Sequence, residues 1–135
     1  MVHDDHEIIL DLDSARRNFD GDVTLVRDIG QIFVEDVPAL VQQLNGLRVD
    51  AIRETIQPQV TIAKYGPLTE ARRVAHSIKG LANTFGAEPL GSLLATIEHD
   101  PALLVAADGE QRLMELERVA LQTVDELAKC LSSEI

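Results

Sequence analysis

Two residues near the middle of the chain could do chemistry together, namely His76 and Lys79. Their spacing of three places both side chains on one side of an α-helix, about one turn apart. An unprotonated imidazole is a nucleophile, and a histidine ordinarily loses its proton at about pH 6.5. A lysine ammonium group one turn away could reach an anion carried by the ring. The pair therefore predicts a nucleophile with a cation beside it.

The helix that must position this pair is predicted by the apolar pattern of residues 68–87. Apolar side chains recur there every three or four residues and form one helix face. They are Leu68, Ala71, Ala75, Ile78, Ala82 and Phe85, with Val74 and Leu81 at the edge. His76 lies about 150° around the helix from the centre of that face, so we expect it to face solvent. The other residues predicted on its side are Arg72, Arg73, Lys79, Gly80 and Asn83.

Gly80 stands inside this helix, since the apolar face continues as far as Phe85. A glycine in a helix interior costs about 1 kcal/mol relative to alanine. The missing side chain therefore indicates that another molecule approaches the helix closely at this point.

The residues around the pair resemble the signature of the histidine-phosphotransfer (HPt) domain family. The signature runs through 75–80, Ala-His-Ser-Ile-Lys-Gly, and continues in 83–87, Asn-Thr-Phe-Gly-Ala. Upstream, 19–22 and the proline-bearing stretch 33–38 resemble the start and middle of the family's second helix, and 90–98 resembles the helix after the signature. The resemblance spans about 10–131, with one departure, a longer connection at about 47–67.

The resemblance implies a phosphoryl carrier in a two-component phosphorelay. His76 would accept phosphate from the phospho-aspartate of a receiver domain and pass it to another receiver. The implied partners are response-regulator receiver domains and, as a further candidate, a hybrid histidine kinase. The receiver's acidic pocket and Mg²⁺ would supply the charge stabilisation, so no cofactor is expected in this chain and the chain is not expected to be an enzyme. Lys79 would hold the phosphoryl group, Gly80 would leave room for the receiver backbone, and Arg72, Arg73 and Asn83 would serve in docking.

Two alternatives remain open. The chain could be a receiver-binding module that no longer carries phosphate, although the intact set of His76, Lys79 and Gly80 argues against this. It could also be the phosphorylated domain of a larger kinase, in which His76 receives phosphate from ATP bound to a separate catalytic domain.

The composition narrows the class of protein independently. A length of 135 residues suits one domain, and 45% apolar with only 3% aromatic residues favours packed helices over a β-sandwich. The formal net charge of −11 opposes nucleic-acid and anionic-membrane partners. The longest apolar run, 102–107, is far shorter than the about 20 residues that a membrane span requires, and acidic residues stand where a secretion signal has basic ones. We expect a cytoplasmic monomer.

Other reactive patterns are weak. We find no phosphate-binding glycine loop, no nucleophile with a base and orienting group, and no inward-facing acidic set for a di-metal centre. His3, Asp4, Asp5 and His6 could ligate a metal, but no helix or turn fixes their geometry, so no metal site is predicted. Cys130 has no internal partner and is expected to be a small buried hydrophobe.

Periodicity and capping residues predict an all-α fold, an antiparallel up-down four-helix bundle preceded by a short N-terminal helix. Residues 1–9 form a polar tail and 10–135 a single domain. Pro38 predicts a kink at 35–37 of the second helix, which extends past Leu47 towards Pro58 before a loop at 59–66. Residues 102–109 are a connection. The predicted helices run from about 11 to 19, 23 to 58, 66 to 86, 89 to 100 and 110 to 131.

Overall fold

A computed structural model describes residues 8–56 and 66–134. Over these residues the chain forms five α-helices and one 3₁₀-helix, and it contains no strand. The α-helices are α1 (Leu12–Asn18), α2 (Val23–Ile56), α3 (Pro67–Thr84), α4 (Glu88–His99) and α5 (Gly109–Glu134), with the 3₁₀-helix at Pro101–Val105. Residues 1–7 of the predicted tail at 1–9, and residues 59–65 of the predicted loop at 59–66, lie outside the described residues.

The four long helices form a closed ring in which each packs against its neighbours in sequence, and α5 returns to pack against α2. Helix α1 lies across the ends of α2 and α3. Cross-helix pairs show that α3 and α4 run antiparallel, since His76 contacts Glu98 while Asn83 lies opposite Gly91. The predicted all-α bundle with a short preceding helix is therefore confirmed.

The core is aliphatic, with one aromatic pair at its centre. Phe33 of α2 and Phe85 after α3 are fully buried and meet edge to face, with ring centroids 5.5 Å apart. Each such side chain contributes about 1.5–3 kcal/mol when it is fully removed from water. Most residues predicted to face inward do so. On α3, Val74 is buried rather than at an edge and Leu68 is only partly buried, and Cys130 is also only partly buried. Among the core residues that were not predicted are Val41, Val119 and Thr123.

Helix α2 continues past Leu47 to Ile56, as predicted, and remains helical through Pro38. The kink at 35–37 stays a prediction. The connection at 102–109 is more ordered than expected, because Pro101–Val105 forms a 3₁₀-helix that buries Leu104 completely. Arg48 of α2 donates from Nε to the Leu104 carbonyl oxygen at 2.9 Å, which fixes this turn against the bundle.

Both ends of α3 are set by glycine and proline. Pro67 occupies the first turn after Gly66, whose φ is 85°. At the other end Gly86 has a φ of 62°, and the amides of Gly86 and Ala87 donate to the carbonyls of Asn83 and Ala82. This is the Schellman arrangement that satisfies the last carbonyls of a helix. Gly86 therefore ends α3 in a left-handed conformation and turns the chain directly into α4.

Candidate functional site

His76 lies on the solvent side of α3, midway along the helix, and 69% of its side chain is exposed. Ala75, one residue before it, and Ile78, two residues after it, are completely buried. The predicted register of α3 is therefore confirmed at this point. A group that attacks another protein must be reachable, and His76 is.

Glu98 comes to His76 from the last turn of α4. Its Oε2 lies 2.7 Å from Nδ1 of the His76 ring, and its Oε1 lies 2.6 Å from Nζ of Lys79. Burial of Leu94 and Ile97 holds that face of α4 against the core, and this leaves Glu98 at the edge next to α3. One carboxylate thus joins the two residues that the sequence singled out.

The negative charge of Glu98 determines which nitrogen of the neutral His76 ring carries the proton and which carries the free electron pair. The hydrogen bond from Lys79 lowers the pKa of Glu98 below its ordinary value of 4.5, against the opposing effect of desolvation and with a further contribution from His76. The carboxylate is therefore ionised at neutral pH and can only accept hydrogen bonds. Nδ1 of His76 must then be the donor, and in the neutral ring the free electron pair lies on Nε2. Of the two ring nitrogens, Nε2 is therefore the one that could act as a nucleophile.

Lys79 is held close to the helix surface, with 28% of its side chain exposed. It lies one turn beyond His76 on the same side of α3, as predicted. In the unmodified protein its ammonium group is paired with Glu98. The same group lies within one helix turn of the ring that would carry an anion.

Gly80 leaves open space beside His76. A Cβ atom built at this position would meet no atom within 4 Å, apart from the backbone of its own helix and its chain neighbours. Packing inside the bundle therefore gives no reason for a glycine here. The Thr84 hydroxyl donates to the Gly80 carbonyl at 2.9 Å, which satisfies that exposed carbonyl locally.

The three remaining predicted residues have different environments. Arg72 donates from Nε to the Glu98 carbonyl oxygen at 3.1 Å, so it holds the end of α4 against α3. Arg73 is exposed and pairs with Glu70 at 3.0 Å. Asn83 is exposed two turns from His76, beside Gly91, where a Cβ atom would lie 3.1 Å from its Oδ1. The structure therefore gathers His76, Lys79 and Arg72 around Glu98, and leaves Arg73 and Asn83 outside this cluster.

Glu98 is the member of the site that the sequence analysis did not single out. A carboxylate in the last turn of a helix is disfavoured by the helix dipole, whose negative end lies there. The unfavourable position of this glutamate, directly after the buried Ile97, is the feature of the sequence that could have indicated Glu98 as a site residue. Lys79 and Arg72 lie on the neighbouring helix α3 and place positive charge beside this end of α4, which offsets the unfavourable effect of the α4 dipole on Glu98.

Within residues 8–56 and 66–134, no group of three or more histidine, cysteine, aspartate or glutamate side chains is arranged to hold a metal ion. The candidate set at 3–6 lies outside that part of the chain. No helix among the described residues is both long and apolar enough to cross a membrane.

Comparison with protein families agrees with this geometry. The Hpt domain family matches residues 28–132, which is well over half of the chain. The chain therefore belongs to the histidine-phosphotransfer family, whose members are phosphocarriers in two-component signalling and interact with receiver domains. The match begins within α2, so α1 precedes it. No curated protein and no solved structure gives a significant match.

Proposed function

We propose that Nε2 of His76 accepts a phosphoryl group from the phospho-aspartate of a receiver domain and passes it to another receiver. The observation that carries this proposal is the contact of Nδ1 with Glu98, because it leaves the electron pair on Nε2 of a side chain that is 69% exposed. Membership of the phosphotransfer family supplies the kind of reaction.

The transfer balances as a single displacement at phosphorus. The Nε2 electron pair forms the N–P bond while the P–O bond to the aspartate breaks, and that bonding pair returns to the carboxylate. The proton on Nδ1 stays in place on the ring, facing Glu98. The receiver's acidic pocket and Mg²⁺ would stabilise the charge on the moving phosphoryl group. This chain contributes an oriented nucleophile.

The residues around His76 would support docking and transfer. Lys79 is close enough to pair with a phosphoryl group on the ring, and the open space at Gly80 admits the receiver backbone. Arg72 and Arg73 place positive charge on an otherwise acidic protein, which favours an acidic partner pocket. Asn83 extends the same exposed side of α3.

The test is to incubate the purified chain with a phosphorylated receiver domain from the same organism and to map the label. We expect an acid-labile, base-stable adduct on His76 that is absent from His76→Ala. His76→Ala should leave the free energy of unfolding within about 0.5 kcal/mol, since exposed substitutions usually do. His99→Ala is the matched control, because His99 is also exposed and lies at the end of α4.

Two other outcomes would replace the proposal. Labelling of His76 only by ATP with a histidine kinase catalytic domain would make the chain the substrate domain of a larger kinase. Receiver binding without any labelling would make it a phosphate-free binding module.

A further inference from the structure

Glu98 has two neighbours that a phosphoryl group on His76 would also affect. One oxygen of its carboxylate faces Nδ1 of the ring at 2.7 Å, and the other lies 2.6 Å from the Lys79 ammonium group. With 23% of its side chain exposed, Glu98 is the least accessible of the three. Phosphorylation of Nε2 would therefore take place beside a carboxylate that is already fixed.

Phosphorylation changes the charges at the site. A phosphoryl group on Nε2 carries up to two negative charges, and with the Nδ1 proton retained the ring carries one positive charge. The carboxylate favours the cationic ring because it accepts the Nδ1 hydrogen bond. The same carboxylate holds the ammonium group that would otherwise pair with the phosphoryl oxygens.

The Nδ1 proton decides how easily the N–P bond breaks. When water attacks phosphorus, the bonding pair returns to Nε2 and the phosphoryl group leaves as dihydrogen phosphate. If Nδ1 is protonated, the departing group is a neutral imidazole. If Nδ1 has lost its proton, the departing group is an imidazolate anion, which is a far poorer leaving group. The same holds when a receiver aspartate is the attacking group in place of water.

We infer that Glu98 limits the lifetime of the phosphohistidine, by keeping the proton on Nδ1 and by competing with the phosphoryl group for Lys79. The inference rests on the proposed function, in which His76 is the acceptor. Glu98 is then a positioning residue that makes the site release its phosphate readily, so that the domain passes phosphate on and does not store it.

The other charged groups near Glu98 do not substitute for it. Arg72 of α3 contacts the Glu98 backbone carbonyl through Nε, and Arg73 is paired with Glu70. His99 and Asp100 follow Glu98 in the chain and are exposed. Lys79 is the cation that contacts the Glu98 carboxylate across α3 and α4.

Glu98→Gln tests the inference with little change of shape. A neutral amide has one acceptor oxygen for the two donors, His76 and Lys79, and it has no charge to hold the Nδ1 proton. We load the full chain with phosphoramidate, a small phosphoryl donor, map the label to His76, and follow its loss by ³¹P NMR. The half-life should lengthen about two- to fivefold, the range expected when a partly exposed charge interaction is removed.

The pH profile separates this role from a structural one. In Glu98→Gln, the decline of the hydrolysis rate with rising pH should come at lower pH than in the wild type, because the Nδ1 proton is held less firmly. Glu126→Gln is the matched control. It removes the same charge from an exposed position on α5, diagonally across the bundle from α3, and should change neither half-life nor profile.

A double variant tests the competition for Lys79. In Glu98→Gln with Lys79→Met the half-life should be shorter than in Glu98→Gln alone, because the freed ammonium group would otherwise stabilise the phosphoryl group. An equal half-life would overturn the competition.

The outcomes distinguish the two proposals. Failure of phosphoramidate and of phosphorylated receivers to label His76 in the wild type would contradict the proposed function. Labelling of His76 with an unchanged or shortened half-life in Glu98→Gln would overturn the role of Glu98 while leaving the carrier function intact.

Discussion

A titration of the Glu98 carboxylate should show whether Glu98 is paired with Lys79 in solution. The hydrogen bond from Lys79 lowers the pKa of Glu98 below 4.5, so the folded state favours the ionised form. The pair therefore stabilises the fold above about pH 4.5, and this contribution is lost as pH falls through the lowered pKa of the folded state. We expect a ¹³C NMR titration of the Glu98 carboxyl to show a midpoint below 4.5.

Lys79→Met should move that midpoint upward, because it removes the largest cause of the lowered pKa. Lys129→Met is the control, since Lys129 pairs with Asp125 on α5 and not with Glu98. A wild-type midpoint at or above 4.5 would show that Glu98 and Lys79 are not paired in solution.

Gly80 should lower the stability of α3 while leaving room for a partner to approach His76. Gly80→Gln fills open solvent and replaces a poor helix former by a good one, so the free energy of unfolding should rise by up to about 1 kcal/mol. Transfer from a phosphorylated receiver should slow, since the new side chain occupies the space proposed for the partner backbone. The two measurements are chemical denaturation and the labelling rate of His76.

Gly46→Gln is the matched control for this change. Gly46 lies inside α2, and a Cβ atom added there would also meet no neighbouring atom within 4 Å, so the stability gain should be similar without slower transfer. A Gly80→Gln variant that transfers as fast as the wild type would rule out close approach at this position.

At the scale of elements, the turn between α3 and α4 sets the distance between His76 and Glu98. Gly86 needs a positive φ, and a Cβ there would lie 2.7 Å from the Cβ of Asp11, whose amide donates to the Phe85 carbonyl at 2.9 Å. Gly86→Ala therefore meets both backbone strain and a collision with Asp11, the residue that caps the start of α1. We expect it to cost more than the about 1–2 kcal/mol of the left-handed conformation alone.

Gly21→Ala separates these two contributions. Gly21 has a φ of 78°, but its Cβ would meet nothing within 4 Å, so only the backbone cost applies. Urea denaturation of both variants gives the comparison. Equal losses of stability would mean that the start of α1 does not pack against the end of α3.

The helices could be predicted from the sequence because their determinants are local. Phe33 and Leu44 recur at helical spacing and are completely buried, and Pro67 and Gly86 mark the ends of α3 as their backbone preferences require. His76, Lys79 and Gly80 could be placed on one face for the same reason. Each of these positions depends only on residues within a few turns of the same helix.

Glu98 and Leu104 were missed because their roles depend on contacts between helices. The pairing of Glu98 with His76 spans 22 residues and follows from the register of α4 against α3, which periodicity within one helix does not specify. Leu104 lies in a short 3₁₀ turn that is ordered by Arg48 from α2, 56 residues away. Sequence patterns therefore located His76 but not the carboxylate that contacts its ring.

For the whole molecule, the bundle separates a buried core from the exposed face of α3 that carries His76. Helix α3 buries Ala71, Ala75 and Ile78 completely, while His76 remains 69% exposed. Under the proposed function, the partner would supply the rest of the reaction centre. We therefore expect the charge of the remaining surface to affect the stability of the fold more than the reaction at His76.

The excess of 23 acidic over 12 basic residues should make the fold more stable as salt is added. Like charges repel across the compact state, and raising the ionic strength from 0.01 M to 0.1 M shortens the Debye length from about 30 Å to about 10 Å. We expect a gain on the order of 1 kcal/mol, or a rise in Tm of about 4 °C. Thermal unfolding followed by circular dichroism at pH 7 measures it.

Glu126→Lys tests whether the net charge causes this response. The variant lowers the excess negative charge at an exposed position on α5, so it should be more stable than the wild type at 0.01 M salt and gain less from added salt. A Tm that falls with salt would mean that exposed ion pairs such as Arg118–Glu115 and Lys129–Asp125 outweigh the repulsion. Such pairs typically contribute only about 0–1 kcal/mol each, which is why we expect repulsion to dominate.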